Sequence, residues 1–240
     1  MTALLDTPSA DSLTAPAART LADLDPHRYR ATARTDGVTA ALALLHAEVS
    51  PGVLPAGPSG LVLVPRTVET TCAWYQTPSG PAARTDQNDS GSLHSPTGLP
   101  DLVWLHLPGA GPQPGPDTWT VAVPWIRLGL AEHLLETAAA HLRGREVQGG
   151  QVLNLPLVRA NVADVACALG EARALLDTAL PDAATLRRVH NCLDEAGRRC
   201  LHLFGARGFL SDGPGSVARA GELLGDAYPP TTVLDLKEEP

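Results

Sequence analysis

Cys200-Leu-His-Leu-Phe-Gly-Ala-Arg-Gly-Phe-Leu-Ser-Asp-Gly-Pro-Gly-Ser-Val-Ala-Arg-Ala-Gly-Glu-Leu-Leu-Gly-Asp-Ala-Tyr228 is the stretch on which the reading of this chain turns. An apolar helix runs into Phe204 and stops at Gly205; a tight loop with a second glycine, Gly208, follows, and Pro214 opens another helix. Glycines at such a break permit positive φ and leave backbone N–H groups bare. The next helix adds the positive end of its dipole, so the loop suits an anion such as a diphosphate as well as an ordinary corner between helices.

Working upstream, Ala183 to Phe204 carries a helical stripe of Leu186, Val189, Leu193, Ala196, Cys200 and Leu203. Before it, Pro156 to Leu180 repeats the pattern with Val158, Val162, Val165, Ala166, Leu169, Ala172 and Leu176, and Trp125 to Leu142 with Ile126, Leu128, Leu130, Leu134, Leu135 and Ala138. A fourth, shorter helix is expected from Pro214 to about Leu224. Short connections make four such helices an antiparallel bundle.

The first half has a different texture. Gly37 to Val49 reads as a helix ended by Pro51-Gly52. Four strands are expected: Leu61–Val64, the alternation Val68, Thr70, Cys72, Trp74, then Leu102–Leu107 and Trp119–Val123, with a polar loop from Thr77 to Pro100. The fold class is therefore α+β, mainly α. The expected division is a partly flexible segment 1–36, a helix plus β-rich region 37–123, the helical bundle 124–228 and a tail 229–240.

The balance of 18 Lys+Arg against 26 Asp+Glu, net −8, argues against nucleic-acid binding and against anionic membrane surfaces. Four cysteines without C-x-x-C spacing point to free thiols, and those in helices to small core residues. With no secretory leader pattern and no membrane-length apolar run, a cytoplasmic protein is the expectation.

Several signals together resemble the flavin-dependent acyl-CoA dehydrogenases. Trp125-Ile-Arg-Leu-Gly-Leu-Ala-Glu is similar to the opening helix of that family's C-terminal domain, Arg145-Glu-Val-Gln-Gly149 to its R-x-x-F-G turn, Asn161-Val-Ala-Asp-Val to its next helix, and Leu203-Phe-Gly-Ala-Arg-Gly-Phe209 to its glycine loop. The resemblance covers about Val123 to Leu224. It implies a bundle that builds dimers and tetramers, with FAD across a subunit interface. It further implies that Arg145 contacts the FAD diphosphate, with Gln148 and Gly149 in the same turn, and that Phe204, Gly205, Ala206, Arg207 and Gly208 line the ADP portion. A guanidinium can give two parallel hydrogen bonds to phosphate oxygens.

The departures matter as much. Gln148 replaces the family's aromatic residue, Ala206 its middle glycine, and Pro156 a glutamine near the flavin. Family members take the α-proton of an acyl thioester with a carboxylate while hydride leaves the β-carbon for the flavin; in many, that carboxylate sits in Y-E-G-T. Here Gly225-Asp-Ala-Tyr-Pro-Pro-Thr-Thr232 stands instead, with Thr231 near the expected place and Glu222 and Asp226 the nearest carboxylates. Threonine without an activating partner is no base. No catalytic residue is assigned, and the flavin-stacking segments are absent.

The expected function is thus an acyl-CoA-dehydrogenase-like subunit with little activity alone. It would complete the FAD site of a full-length homologue, or of itself as a dimer or tetramer, acting on an acyl thioester. The alternatives are a self-sufficient FAD-dependent acyl-CoA or acyl-carrier-protein dehydrogenase, and a cofactor-free dimerisation protein. His133, His141, His190, Cys192 and His202 show no metal-ligand spacing. Arg187, Arg188, Arg198 and Arg199 form a basic helix face open to solvent or to the phosphates of a thioester carrier.

Overall fold

The computed structural model describes residues 23–85, 94–113, 118–178, 181–210 and 213–230. Most of the expected N-terminal segment, part of the Thr77–Pro100 loop, and the tail with Thr231 lie outside the described residues.

The chain is mainly helical. Helices α1 (Pro26–Thr35) and α2 (Gly37–Val49) come first; Asp25 caps α1 by accepting the His27 N–H at 3.1 Å, and Gly37, at φ +87, makes the turn between them. Small strands follow: β1 (Val53–Leu54), β2 (Leu61–Pro65), β3 (Trp74–Thr77), β4 (Gly80–Ala83) and β5 (Leu102–His106), with a short helix α3 (Arg66–Thr71) after β2. β2 pairs antiparallel with β5, Leu63 opposite Trp104, while β1, β3 and β4 form a separate sheet with β3 in the middle. The second half is helical: α4 (Thr118–Arg143), α5 (Pro156–Leu176), α6 (Ala183–Phe204) and α7 (Pro214–Ala227), with a hairpin of β6 (Glu146–Val147) and β7 (Gly150–Gln151) after α4. α5 and α7 each begin on proline, and Asp182 caps α6 through the Thr185 N–H at 2.7 Å.

Two expected strands are corrected. Trp119–Val123 is the beginning of α4, which continues through Pro124 across the 123/124 point. Trp119, Ala122, Val123, Ile126 and Leu130 are all buried in the core shared with α1, α2 and α7. Their spacing is helical, and it continues the stripe beyond the proline. Arg66–Thr71 is the helix α3 rather than part of an alternating strand. Its β-branched residues yield to tertiary contacts. Arg84 donates to the Glu69 and Cys72 carbonyls and to the Glu69 carboxylate, each within 3.2 Å, and so ties the turn to the end of β4. β4, which pairs with β3 in a hairpin, lies inside what the sequence gives as a polar loop.

α4 is the hub, packing against α1, α2, α5, α6 and α7. One core lies between α4, α5 and α6, with Leu128, Leu134, Val165, Leu169, Val189 and Ala196. Another lies between α1, α2, α4 and α7. Gly129 of α4 sits where a Cβ would fall 2.2 Å from the Arg30 carbonyl oxygen, so α1 and α4 approach backbone to backbone. Strand β2 is a wall between two cores: Leu63 faces the helices, and Val62 and Val64 face a smaller β core with Leu105 and Tyr75.

Tyr228, just past α7, locks the helices to that wall. Its hydroxyl accepts the Leu63 N–H at 3.0 Å and lies 3.2 and 3.3 Å from the Leu63 and Pro55 carbonyls, fully buried. Tyr228→Phe leaves the Leu63 N–H buried without its acceptor. The expected cost is about 1–3 kcal/mol, read by chemical denaturation together with faster amide exchange at Leu63. An unchanged exchange rate there would refute the assignment.

Candidate functional site

The residues singled out in the sequence sit where α4 and α6 end. Arg145 follows the last turn of α4, and its carbonyl accepts the Val152 N–H at 2.9 Å, closing the β6–β7 hairpin. The two loop residues, Gln148 and Gly149, have φ of +51 and +78, the backbone a tight hairpin demands. Gly149 is therefore needed for the turn itself; a Cβ there would meet nothing within 4 Å. Gln148 adopts a conformation that costs a non-glycine residue roughly 1–2 kcal/mol. The whole hairpin, Arg145 included, is exposed.

At the neighbouring corner α6 stops at Gly205, φ +59, and a 3-10 turn runs from Gly205 to Phe209. Gly205, Ala206 and Arg207 are exposed and open space surrounds Gly205. Gly208 differs. It is buried, and a Cβ there would fall 2.8 Å from the Leu201 carbonyl oxygen, so this glycine serves the packing of the turn against α6. Phe204 is buried in the bundle core.

Between the two corners stands His141, to which the sequence assigns no site role. Its ring lies against Phe204, centroids 5.6 Å apart at 37°. Burial first, then the positive charges of Arg145 and Arg207, push its pKa below the ordinary histidine value. Both arginines are thus within electrostatic reach of one imidazole. The His141 Nε2 is buried with no hydrogen-bond partner among the described residues. Two exposed guanidiniums and an exposed glycine turn suit the diphosphate of a nucleotide such as FAD. The signal available in sequence was spacing: His141 lies one helical turn before Arg145.

The region after α7 is arranged otherwise. Tyr228 is held in the core, Glu222 and Asp226 are exposed on α7, and their charges act on the Arg127 guanidinium. The four arginines of α6 do not form one free basic face. Arg188 pairs with Glu171 at 2.7 Å, Arg199 with Glu195 and Asp164 at 2.6 and 2.9 Å, and Arg198 with Glu195 at 3.2 Å. Acidic residues on α5, unseen when α6 is read alone, neutralise half of it. All four cysteines are free; Cys72, Cys192 and Cys200 are buried, but Cys167 is exposed, against the expectation of a core position. No helix among the described residues is long and apolar enough to cross a membrane.

Residues 121–222 match the family model for the acyl-CoA dehydrogenase C-terminal domain. A comparison with curated proteins finds no match. Among solved structures, the chain is similar to the steroid ACAD Tcur3481-Tcur3483, at 20% identity over 83% of this chain and 69% of that one, TM-score 0.52. It is similar to the ChsE4-ChsE5 complex from Mycobacterium tuberculosis, at 20% identity, 83% and 69% coverage and TM-score 0.50. It is also similar to butyryl-CoA dehydrogenase from Megasphaera elsdenii, at 14% identity, 77% and 61% coverage and TM-score 0.51. At these identities the structures establish the fold, while the family model bears on the helical half. Residues 121–222 thus match the C-terminal domain of the acyl-CoA dehydrogenases, and the fold is similar to that of the solved acyl-CoA dehydrogenases.

Proposed function

We propose that this chain is an acyl-CoA-dehydrogenase-like subunit that completes the FAD site of a full-length partner, the partner carrying out α,β-dehydrogenation of an acyl thioester. The observation that carries this reading is that Arg145 and the Gly205–Arg207 turn are both exposed, at neighbouring corners whose two arginine charges act on the same His141. Arg145, Gln148 and Gly149 would hold the diphosphate from one side, and Gly205, Ala206 and Arg207 the ADP portion from the other. Phe204 stiffens the site through His141, and Gly208 supports the turn. FAD, when bound, supplies the hydride acceptor; this chain's part is to hold its nucleotide end.

The other half of the reading is what the chain does not offer. Tyr228 is committed to backbone partners in the core, and the carboxylates nearest to it in sequence, Asp226 and Glu222, point to solvent on α7. That arrangement supports assigning the base to the partner. The similarity in fold to the ChsE4-ChsE5 complex from Mycobacterium tuberculosis is consistent with a subunit role.

The test is reconstitution. Purified chain, FAD and a full-length acyl-CoA dehydrogenase subunit are mixed, and flavin eluting with the complex is measured by absorbance. Arg145→Ala should lower retained flavin affinity by about tenfold, the loss of one charge-assisted contact of roughly 1.4 kcal/mol. A colourless homodimer that ignores such partners, or an Arg145→Ala variant that retains flavin as the parent does, would overturn the proposal.

A further inference from the structure

The exposed apolar side chains of this protein are gathered at the two corners that carry Arg145 and Arg207. Among the described residues four large hydrophobics are exposed: Val147 at 49%, Leu155 at 43%, Leu157 at 81% and Leu210 at 54%. The first three belong to the α4–α5 corner: Val147 is in β6, Leu155 precedes α5 and Leu157 is in its first turn. Leu210 follows the 3-10 turn at the α6–α7 corner. His141 and Phe204, in ring contact at the ends of α4 and α6, hold the two corners side by side. A single exposed leucine is ordinary, but four large apolar residues on two adjoining corners mark a surface that another molecule covers.

The charge around them decides which molecule. Residues 141–160 and 201–210 contain Arg143, Arg145, Arg159 and Arg207 against one carboxylate, Glu146, a local +3 in a chain of net −8. All four arginines are exposed, and none is ion-paired among the described residues. Elsewhere the pattern is the reverse. Arg28, Arg30 and Arg34 of α1 each meet a carboxylate, as do Arg188, Arg198 and Arg199 of α6.

A nucleotide diphosphate answers two guanidiniums and gives the leucines nothing. A second copy of this chain fails for the opposite reason. A two-fold contact lays the patch on itself, so leucine meets leucine, but four arginines then face four arginines with a single glutamate on each side. Like charges brought together at an interface oppose the apolar contact. Both features are met by a different polypeptide, with an apolar ridge over the leucines and carboxylates around it for the arginines.

We propose that Val147, Leu155, Leu157 and Leu210, framed by Arg143, Arg159 and the two site arginines, form a docking surface for a non-identical protein chain with an apolar ridge and an acidic rim, and not for a second copy of this one. The inference rests on the partner half of the proposed function and needs none of its flavin half. Apolar contact sets the lifetime of such a complex, and the arginine rim sets its rate of formation, which therefore falls as salt is added.

The experiment titrates the fluorescently labelled full chain with purified, flavin-free full-length acyl-CoA dehydrogenase subunits from the same genome, at low and at high salt. One of these subunits should bind saturably. Leu157→Ser should weaken it about tenfold, mainly through faster dissociation, and Arg159→Glu by a similar factor, mainly through slower association. Both residues are exposed, so thermal melting should match the parent. Binding by none of the subunits, or parent-like binding by both variants, would overturn the proposal. The chain alone is sedimented in parallel and mixed with phosphatidylserine vesicles. Self-association that Leu157→Ser abolishes would overturn the proposal in favour of a second copy, and vesicle binding that it abolishes would overturn it in favour of a membrane surface. A complex that forms as expected while Arg145→Ala retains flavin as the parent does would sink the flavin reading and leave the docking surface standing. Flavin retention that needs Arg145 but is indifferent to Leu157 and Arg159 would do the reverse.

Discussion

Arg127→Ala should lower the unfolding free energy of the full chain by about 3 kcal/mol, near the lower end for removing one partner of a buried ion pair. The side chain is the point where α4, α6 and α7 are tied together: it holds the His190 Nδ1 and the Asp194 carboxylate and fills the space over Gly225. Its loss leaves a void and strands the acceptor on His190. The cost stays at the lower end because the Asp194 side chain is 33% exposed and water can take over its charge. Arg127→Met keeps the bulk and should cost less than alanine, the polar partners remaining the only loss. Urea denaturation of the three proteins is the measurement. If Arg127→Ala shifts stability by no more than a surface change, about 0.5 kcal/mol, the central role of this arginine is wrong.

The second large effect is acid sensitivity through His190. Burial, then the adjacent Arg127 charge, hold its pKa down to about 3 in the folded chain, from an ordinary value of 6.5. The unfolded chain therefore takes up this proton first as the pH falls. Stability contributed by neutral His190 is fully present above pH 6.5, is lost progressively below it, and has gone by about pH 3. The whole span corresponds to something on the order of 3–5 kcal/mol. His46 and His141, also held below their ordinary value by burial, act in the same direction. His190→Gln keeps an acceptor for Arg127 and cannot titrate. Unfolding free energies of parent and variant should therefore converge as the pH is lowered from 7 to 4. Parallel curves over that range would show that His190 is not kept neutral by the fold.

The same cluster explains why the sequence conceals part of this protein. Arg127 interrupts the apolar stretch Val121–Ala131 of α4, and periodicity alone treats it as a break in the stripe. Only the crossing of α6 and α7 over α4 turns it into a buried cation with two partners. Likewise the four arginines of α6 look like one basic surface until α5 brings Glu171 and Asp164 alongside. Electrostatic environment is a property of neighbouring elements, and a single segment does not contain its neighbours.

Local patterning was enough for much else. The stripes of α5 and α6, the proline starts of α5 and α7 and the glycine stop at Gly205 are written in residues a few positions apart, because each helix hides one face and must break where φ turns positive. The likeness of the helical half to acyl-CoA dehydrogenases rested on the same short-range signals in order. The N-terminal half was less legible: Arg66–Thr71 and Trp119–Val123 are helical, and Gly80–Ala83 is a strand, because tertiary contacts outweigh weak preferences in short segments. What the sequence determined by itself was the helical frame and the two glycine-bearing corners. What the tertiary structure decided was the company those corners keep: His141 between Arg145 and Arg207, Gly208 turned inward, and Tyr228 seated in the wall of β2. The physical reason is that backbone turns are set by neighbours along the chain, whereas burial, charge and unsatisfied hydrogen bonds are set by neighbours in space.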